Sequence, residues 1–445
     1  MGCCSSSETE ESDETSSSTA GLLNLNEATV AELMSLPGIG RTKAESIVAF
    51  REMHGMFTSI DQLTDVPGLG RKAVAKLNGF IEVSGTGDEP DCVARCKQEG
   101  EGIWQTCLAS LQGLWRHAST TSGCDEAFFF PDDESGQGLT RLLELLSSAK
   151  YTLDVAVYSI SHEKLAGALV DAHRRGVQVR VLSDDMQAKQ QNSAVKLLKK
   201  EGLDLRLDAS EKFHMHHKFV VIDSAVLISG SLNWTRAAVE RSNENIIVSK
   251  RPTLCKCFAL EFERMWAAFL SGDVAQAPPA ESQGNVSALF FPEPGMTNVG
   301  RILSELKNAR RSIEIAVFTL TLDLLVDELI RKHDQGLRVR IITDNRQAAV
   351  PGADAQRLHE KGLQVRIDRS WYAMHHKFAV IDDQTLINGS FNWTAQATKG
   401  NQEDAIIFGN QPMLAARTAF YLSLQLMWCA ILARHDWQAQ GGSLH

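Results

Sequence analysis

The sequence predicts an α/β protein: two tandem sandwich domains of one fold, paired within the chain as a pseudo-dimer, behind a small all-α module. Three observations carry this. The phrase His216-His217-Lys218-Phe219-Val220-Val221-Ile222-Asp223, followed by Gly230-Ser231-Leu232-Asn233, returns as His375-His376-Lys377-Phe378-Ala379-Val380-Ile381-Asp382 and Gly389-Ser390-Phe391-Asn392. Flanking phrases repeat as well. Phe129-Phe130-Pro131 answers Phe290-Phe291-Pro292, and Val179-Arg180-Val181-Leu182-Ser183-Asp184 answers Val339-Arg340-Ile341-Ile342-Thr343-Asp344, a displacement of about 160 residues that suits one domain. Within each copy, short β-rich runs alternate with helical periodicity, the pattern of a sheet with helices on both faces.

From the amino terminus, residues 1–20 are expected to be a disordered, acylated tail. Met1-Gly2-Cys3-Cys4-Ser5-Ser6 fits the N-myristoylation pattern at Gly2, with Cys3 and Cys4 available for palmitate. The stretch from Ser5 to Thr19 carries five acidic residues and no Lys or Arg, unlike an Arg-rich transit peptide. Two or more acyl chains anchor stably, so the expected location is the cytoplasmic face of a membrane, the plasma membrane first among them.

Residues 21–86 form the small module. Leu36-Pro37-Gly38-Ile39-Gly40-Arg41 recurs thirty residues later as Val66-Pro67-Gly68-Leu69-Gly70-Arg71, each copy set between helical patterns. Gly38, Gly40, Gly68 and Gly70 permit tight turns whose amides and following helix ends can hold a phosphate, with Arg41, Lys43, Arg71 and Lys72 as the phosphate-facing cations. The segment resembles the tandem helix-hairpin-helix modules of bacterial competence DNA-binding proteins. That resemblance implies nucleic acid as a partner, although such pairs also contact proteins. Its charge leaves the matter open, because residues 21–83 hold six Lys/Arg against seven Asp/Glu.

Residues 87–125 are expected to be a linker helix holding Cys92, Cys96 and Cys107, read as ordinary buried thiols. The first sandwich domain then spans 126–276, with strands at 151–160, 177–183, 203–207, 219–222, 226–229 and 245–249 and helices at 162–174, 192–200 and 261–269. Gly176 and Gly202 stand where helices should stop. A linker at 277–287 leads to the second domain at 288–445. The apolar run at 419–432 contains Gln425 and matches the first domain's closing helix through Met427-Trp428 against Met265-Trp266, so it reads as a core helix.

Along a strand, residues two apart point the same way, so His216 and Lys218 can reach one phosphate while His217 and Phe219 face the other side. The pattern H-x-K-x(4)-D-x(6)-G-S-x-N, complete in both copies, resembles the signature of the phospholipase D superfamily. The surrounding Met-His-His-Lys-Phe and Gly-Ser-x-Asn-Trp-Thr look like the mitochondrial cardiolipin hydrolase group, also called Zucchini-type proteins, and the related bacterial endonucleases. The likeness covers roughly 128–270 and 289–430. Members carry one motif per chain and build the site as a homodimer, so fusion of two copies implies one site within a monomeric catalytic unit. The sequence departs from that group in one place: the interval from Phe130 to Lys150 lacks the Cys and His of its zinc insert.

The resemblance implies roles. One of His216 and His375 attacks phosphorus to give a phosphohistidine while the other protonates the leaving alcohol and later activates water. Lys218, Lys377, Asn233 and Asn392 bind non-bridging oxygens. Glu244 and Glu403, each eleven residues after its Asn, hold the second nitrogen of a catalytic imidazole. Asp223 and Asp382 orient the site without touching substrate, and no metal or other cofactor is expected.

Composition bounds the rest. A net charge of −10 disfavours indiscriminate coating of nucleic acid. Nine cysteines without a C-x-x-C pair point to a reducing compartment and no zinc site. The first reading is therefore a membrane-tethered phosphodiesterase acting on cardiolipin or phosphatidyl head-group esters. A metal-independent endonuclease acting on DNA or RNA stands second, and a catalytically idle membrane scaffold third.

Overall fold

Period-two alternation in the two copies builds the protein's centre. In the first copy Phe219 and Val221 enter one core while Val220 and Ile222 enter another; in the second, Phe378 and Val380 join that same first core while Ala379 and Ile381 enter a third. The inner faces of two sheets thus share one hydrophobic layer, and each outer face has a core of its own.

The computed structural model describes residues 22–83 and 125–423, apart from short gaps at 55–56, 58–59, 67, 78, 132–136, 211, 272–280, 294, 369, 371, 413, 417 and 420. The expected acyl sites Gly2, Cys3 and Cys4 and nearly all of the expected 87–125 helix lie outside the described residues. So does the expected closing helix beyond residue 423.

In the small amino-terminal unit, β1 (Leu23–Asn24) pairs in parallel with β2 (Ile81–Glu82). Between them run helices Val30–Leu33, Arg41–His54 and Arg71–Ala75 over a core that includes Leu33, Ile47, Phe57 and Leu69. Gly38 and Gly68 adopt φ of +80° and +87°, a left-handed turn that favours glycine. The two expected hairpins are present, each handing directly to a helix.

The catalytic unit opens with β3 (Glu126–Phe130), β4 (Thr152–Val157), β5 (Gln178–Ser183), β6 (Asp204–Leu207), β7 (Lys218–Ile222), β8 (Val226–Gly230) and β9 (Glu244–Ser249), in the sheet order β3-β9-β8-β7-β4-β5-β6. Strands β4, β5 and β6 run parallel and the remainder pair antiparallel. The second copy continues with β10 (Glu281–Gln283), β11 (Val286–Phe291), β12 (Ser312–Val317), β13 (Arg338–Thr343), β14 (Gln364–Ile367), β15 (Lys377–Ile381), β16 (Thr385–Gly389) and β17 (Glu403–Phe408). Its order, β10-β11-β17-β16-β15-β12-β13-β14, repeats the first with one added edge strand. That strand comes from the stretch expected as a linker: Glu281–Gln283 folds back antiparallel on β11 because residues 284 and 285 form a tight turn.

Helices Gln137–Ser148 and Glu163–Arg174 cover the outer face of the first sheet, and Thr297–Asn308 and Asp323–Asp334 that of the second. The helix Pro252–Ser271, longer than its sequence periodicity indicated, sends Phe258, Phe262 and Met265 into the shared layer. No helix among the described residues is long and apolar enough to cross a membrane.

Candidate active site

The site forms where the extended segments leading into β7 and β15 meet the segments leading into β17 and β9 of the opposite copy. His216 N donates to Gln402 O at 2.9 Å, and His375 N donates to Asn243 O at 2.9 Å. This exchange of backbone bonds decides which carboxylate serves which imidazole. Glu403 lies 2.7 Å from His216 Nδ1, and Glu244 lies 2.9 Å from His375 Nδ1. Each half therefore orients the histidine of the other, and Nε2 is the nitrogen left for chemistry in both.

The two imidazole rings stand with centroids 6.4 Å apart. Lys218 Nζ and Lys377 Nζ each bond the carbonyl of the histidine two residues before, and lie 5.0 Å from the Tyr158 ring and 4.9 Å from the Phe318 ring. His216, Lys218, His375 and Lys377 are all buried. Strands β7 and β15 begin at the lysines, so each histidine sits just before its strand, in extended backbone. Asn233 and Asn392 carry buried Oδ1 atoms with no hydrogen-bond partner among the described residues.

The glycine of each Gly-Ser-x-Asn phrase has a steric cause. A Cβ on Gly230 would meet Asn245 O at 2.2 Å, and one on Gly389 would meet Asp404 O at 2.3 Å. Only glycine lets neighbouring strands close there, and that closure brings the serine after Gly389 within reach of a site carboxylate. Ser390 Oγ donates to Glu403 at 2.8 Å.

Burial governs the protonation of these groups. It pushes Glu244 up to about 8 and Glu403 up to about 7, even against nearby lysines. It also brings Lys218 down to about 8 and holds His216, His375 and Lys377 well below their ordinary values, with the neighbouring cations adding to the effect on both imidazoles. Burial thus favours the uncharged form of each His–Glu couple, and a phosphodiester anion between the rings would draw protons back onto imidazole and ammonium.

The structure does not bring Asp223 or Asp382 to this cluster. Asp223 accepts the backbone amides of Lys150, Tyr151 and Thr152 at 2.7–2.9 Å, and Asp382 those of Arg310, Arg311 and Ser312 at the same distances. Both adopt positive φ, at 50° and 53°, at the far end of their strands from the lysine. They clamp a turn to the start of β4 or β12. The shift from site to turn follows from strand length, because Asp223 lies five positions beyond Lys218 and a strand rises about 3.3 Å per residue.

His217 and His376, expected to face away from the substrate, do so, and other groups support the site. His217 Nδ1 meets Asp404 at 2.8 Å and His376 Nδ1 meets Asn245 at 2.9 Å, so these histidines brace the residues beside Glu403 and Glu244. Tyr158 and Phe318 pack edge-on against His216 and His375, with centroids 5.0 and 4.8 Å away. The one signal for the aromatics was their equivalent place just after β4 and β12. Among the described residues, Asp184, Asp185 and Asp208 bring carboxylate oxygens within 4.8 Å of one another. Asp184 and Asp208 spend theirs on His214 and on the amides of Gln187, Asp185 and Met215.

In the amino-terminal unit Arg41 is exposed and lies 3.8 Å from Glu45, while Lys43 Nζ bonds Gly38 O at 3.0 Å. The side chains of Arg71 and Lys72 lie outside the described residues. Gly40 and Gly70 immediately precede helices.

Known proteins share both the motifs and the fold. The family described as "Cardiolipin synthase, PLD-like domain" matches residues 142–266 and 302–421, more than half of the chain. The chain belongs to the phospholipase D-like family. Its class of chemistry is phospholipase D-type phosphodiester hydrolysis. Residues 18–82 match the helix-hairpin-helix motif. The mitochondrial cardiolipin hydrolase of Chlamydomonas reinhardtii is 34% identical over 33% of this chain and 75% of its own length. That of Danio rerio is 41% identical over 29% of this chain and 57% of its own. These alignments are about as long as one copy of the phospholipase D-like fold. The crystal structure of phosphatidylserine synthase from Haemophilus influenzae shares the fold at a TM-score of 0.53 and 15% identity, covering 67% of this chain and 86% of that one.

Proposed function

We propose that this protein hydrolyses phospholipids, cardiolipin or phosphatidyl head-group esters, through a phosphohistidine. The observation that carries it is the pair of cross-braced imidazoles 6.4 Å apart between two buried lysines. In the first step Nε2 of one histidine forms a bond to phosphorus as the P–O bond to the leaving alcohol breaks, and the other histidine supplies that alcohol's proton. In the second step the same histidine takes a proton from water, whose oxygen displaces the nitrogen and releases a phosphomonoester. Lys218 and Lys377, with the side-chain amides of Asn233 and Asn392, stabilise the charge that gathers on the non-bridging oxygens. Similarity to proteins named as cardiolipin hydrolases supports lipid as the substrate. Acylation at Gly2, Cys3 and Cys4 would hold the enzyme on a cytoplasmic membrane face; Gly2→Ala should then move it to the soluble fraction.

The helix-hairpin-helix match favours a second reading, an endonuclease delivered to nucleic acid. A side-by-side assay with EDTA present, on cardiolipin vesicles, phosphatidylcholine vesicles and single- and double-stranded nucleic acid, separates the two. The lipid reading expects vesicle hydrolysis that persists when Arg41, Lys43, Arg71 and Lys72 are all changed to Ala. Nucleic-acid cleavage that fails in that variant, with no lipid turnover, would overturn it.

A further inference from the structure

The two copies differ two residues before the catalytic histidine. In the extended run before β7, alternation puts His214 on the side of His216 and Lys218, one strand repeat farther out, roughly 7 Å along the chain. The second copy has Ala373 there. The substitution rewires its surroundings. In the second copy Asp344 accepts the amide of Met374 at 3.1 Å, whereas in the first Asp208 takes the amide of Met215 at 3.0 Å and Asp184 turns to His214 Nδ1 at 3.1 Å. Asp184 is fully buried and His214 keeps 29% of its side chain exposed. The imidazole is thus gripped from below, with Nε2 the nitrogen available to a ligand.

The backbone around it is tied across the seam of the two copies. His214 N donates to Asn401 Oδ1 at 3.1 Å, and Gln402 N donates to His214 O at 2.8 Å. Tyr158 forms a common wall, edge-on to His214 at 5.5 Å and to His216 at 5.0 Å.

We propose that His214, positioned by Asp184, is a substrate-binding residue that receives a second phosphate of a phospholipid, separated from the scissile phosphodiester by a short carbon bridge, on the His216 side of the site. This rests on the lipid reading above and narrows it to two-phosphate lipids. A single such residue makes the mouth lopsided: one copy offers a cation and the other a methyl group, so a substrate with one flanking phosphate has one productive orientation. Asp184 raises the imidazole above the ordinary histidine value; burial opposes this, and Asp208 and Glu403 reinforce it. Among the described residues, Tyr158, Asp184, Asp208, Glu403, His216 and Lys218, with Lys212 on its own segment, are titratable groups around it. The second phosphate is therefore held best on the acid side of that raised value.

The test compares cardiolipin with phosphatidylglycerol, which has one phosphate, in vesicles of matched surface charge. His214→Ala should lower the cardiolipin-to-phosphatidylglycerol ratio of kcat/KM about tenfold, with the change carried by the surface KM for cardiolipin. In the unaltered protein that KM should rise as pH climbs through the raised value of His214, and in the variant the rise should flatten. Asp184→Asn, which keeps the shape, should reproduce part of both effects. An unchanged ratio would overturn the assignment. So would an equal fall in kcat on both lipids, the mark of a structural or proton-relay role. Absence of turnover on either lipid by the unaltered protein would overturn the lipid reading, and this assignment with it.

Discussion

Behind two matching imidazoles, the two halves of the catalytic unit are built differently. In one, His217 meets the carboxylate of Asp404, which also accepts from Ser229 at 2.8 Å, and Glu261 stands 3.5 Å from the other ring nitrogen with Arg264 bound to it. In the other, His376 meets the amide of Asn245, which in turn donates to Asn388 at 2.6 Å. Burial would depress both rings, but Asp404 and Glu261 outweigh it and raise His217, while His376, beside Lys377 and His375, is held well below the ordinary value. One brace is ionic and the other neutral. Duplication within a chain is what permits this. A homodimer must give both halves the same side chains, whereas a fused pair can keep reacting groups alike and let their supports diverge.

The largest test asks whether the halves work as one. His216→Ala and His375→Ala should each lower turnover by at least about a thousandfold, because each ring has a step of its own. Mixing the two variants should restore nothing; recovered activity would mean that sites assemble between chains. Next comes the exchange of carboxylates across the seam. Glu244→Gln and Glu403→Gln should each cost on the order of 10–100-fold in kcat, by loosening the imidazole of the opposite half. Each should also relieve a buried carboxylate. A group whose folded value lies above its unfolded one, as with Glu244 near 8, makes stability fall as pH rises from about 4.5 to 8, so Glu244→Gln should flatten that fall in thermal melts.

The ionic and neutral braces can then be interchanged. Asp404→Asn should destabilise by about 2 kcal/mol at pH 6, the scale of a hydrogen bond to a charged group. The raised value of His217 makes that contribution complete below about 6.5 and lost as pH climbs through the folded value, so the deficit should shrink in alkaline melts. Asn245→Asp should behave oppositely, costing most at high pH, where its carboxylate faces a neutral His376. Equal pH profiles for the two variants would show that the asymmetry has no energetic content. The smallest catalytic effect is expected at the turn clamps: Asp223→Asn, which tolerates the left-handed backbone, should lower stability by about 1–2 kcal/mol and leave kcat within about twofold.

Much of the molecule was legible in the chain because its cues are local. Alternation in residues 219–222 and 378–381 encodes two-sided strands, the glycines at 38 and 68 encode left-handed turns, and a repeat of about 160 residues encodes one fold used twice. The His-x-Lys spacing likewise put each imidazole and ammonium on one side of the backbone. The spacing of Glu244 and Glu403 gave both an equal role without saying which imidazole each would hold. That was decided by the swap of backbone bonds at Gln402 and Asn243, which joins residues 187 and 131 positions apart for His216–Glu403 and His375–Glu244. Tertiary structure likewise retired Asp223 and Asp382 to turns and turned 281–283 from linker into strand. Sequence periodicity reports which side of a strand a residue takes; it carries no information about what the facing sheet will place there.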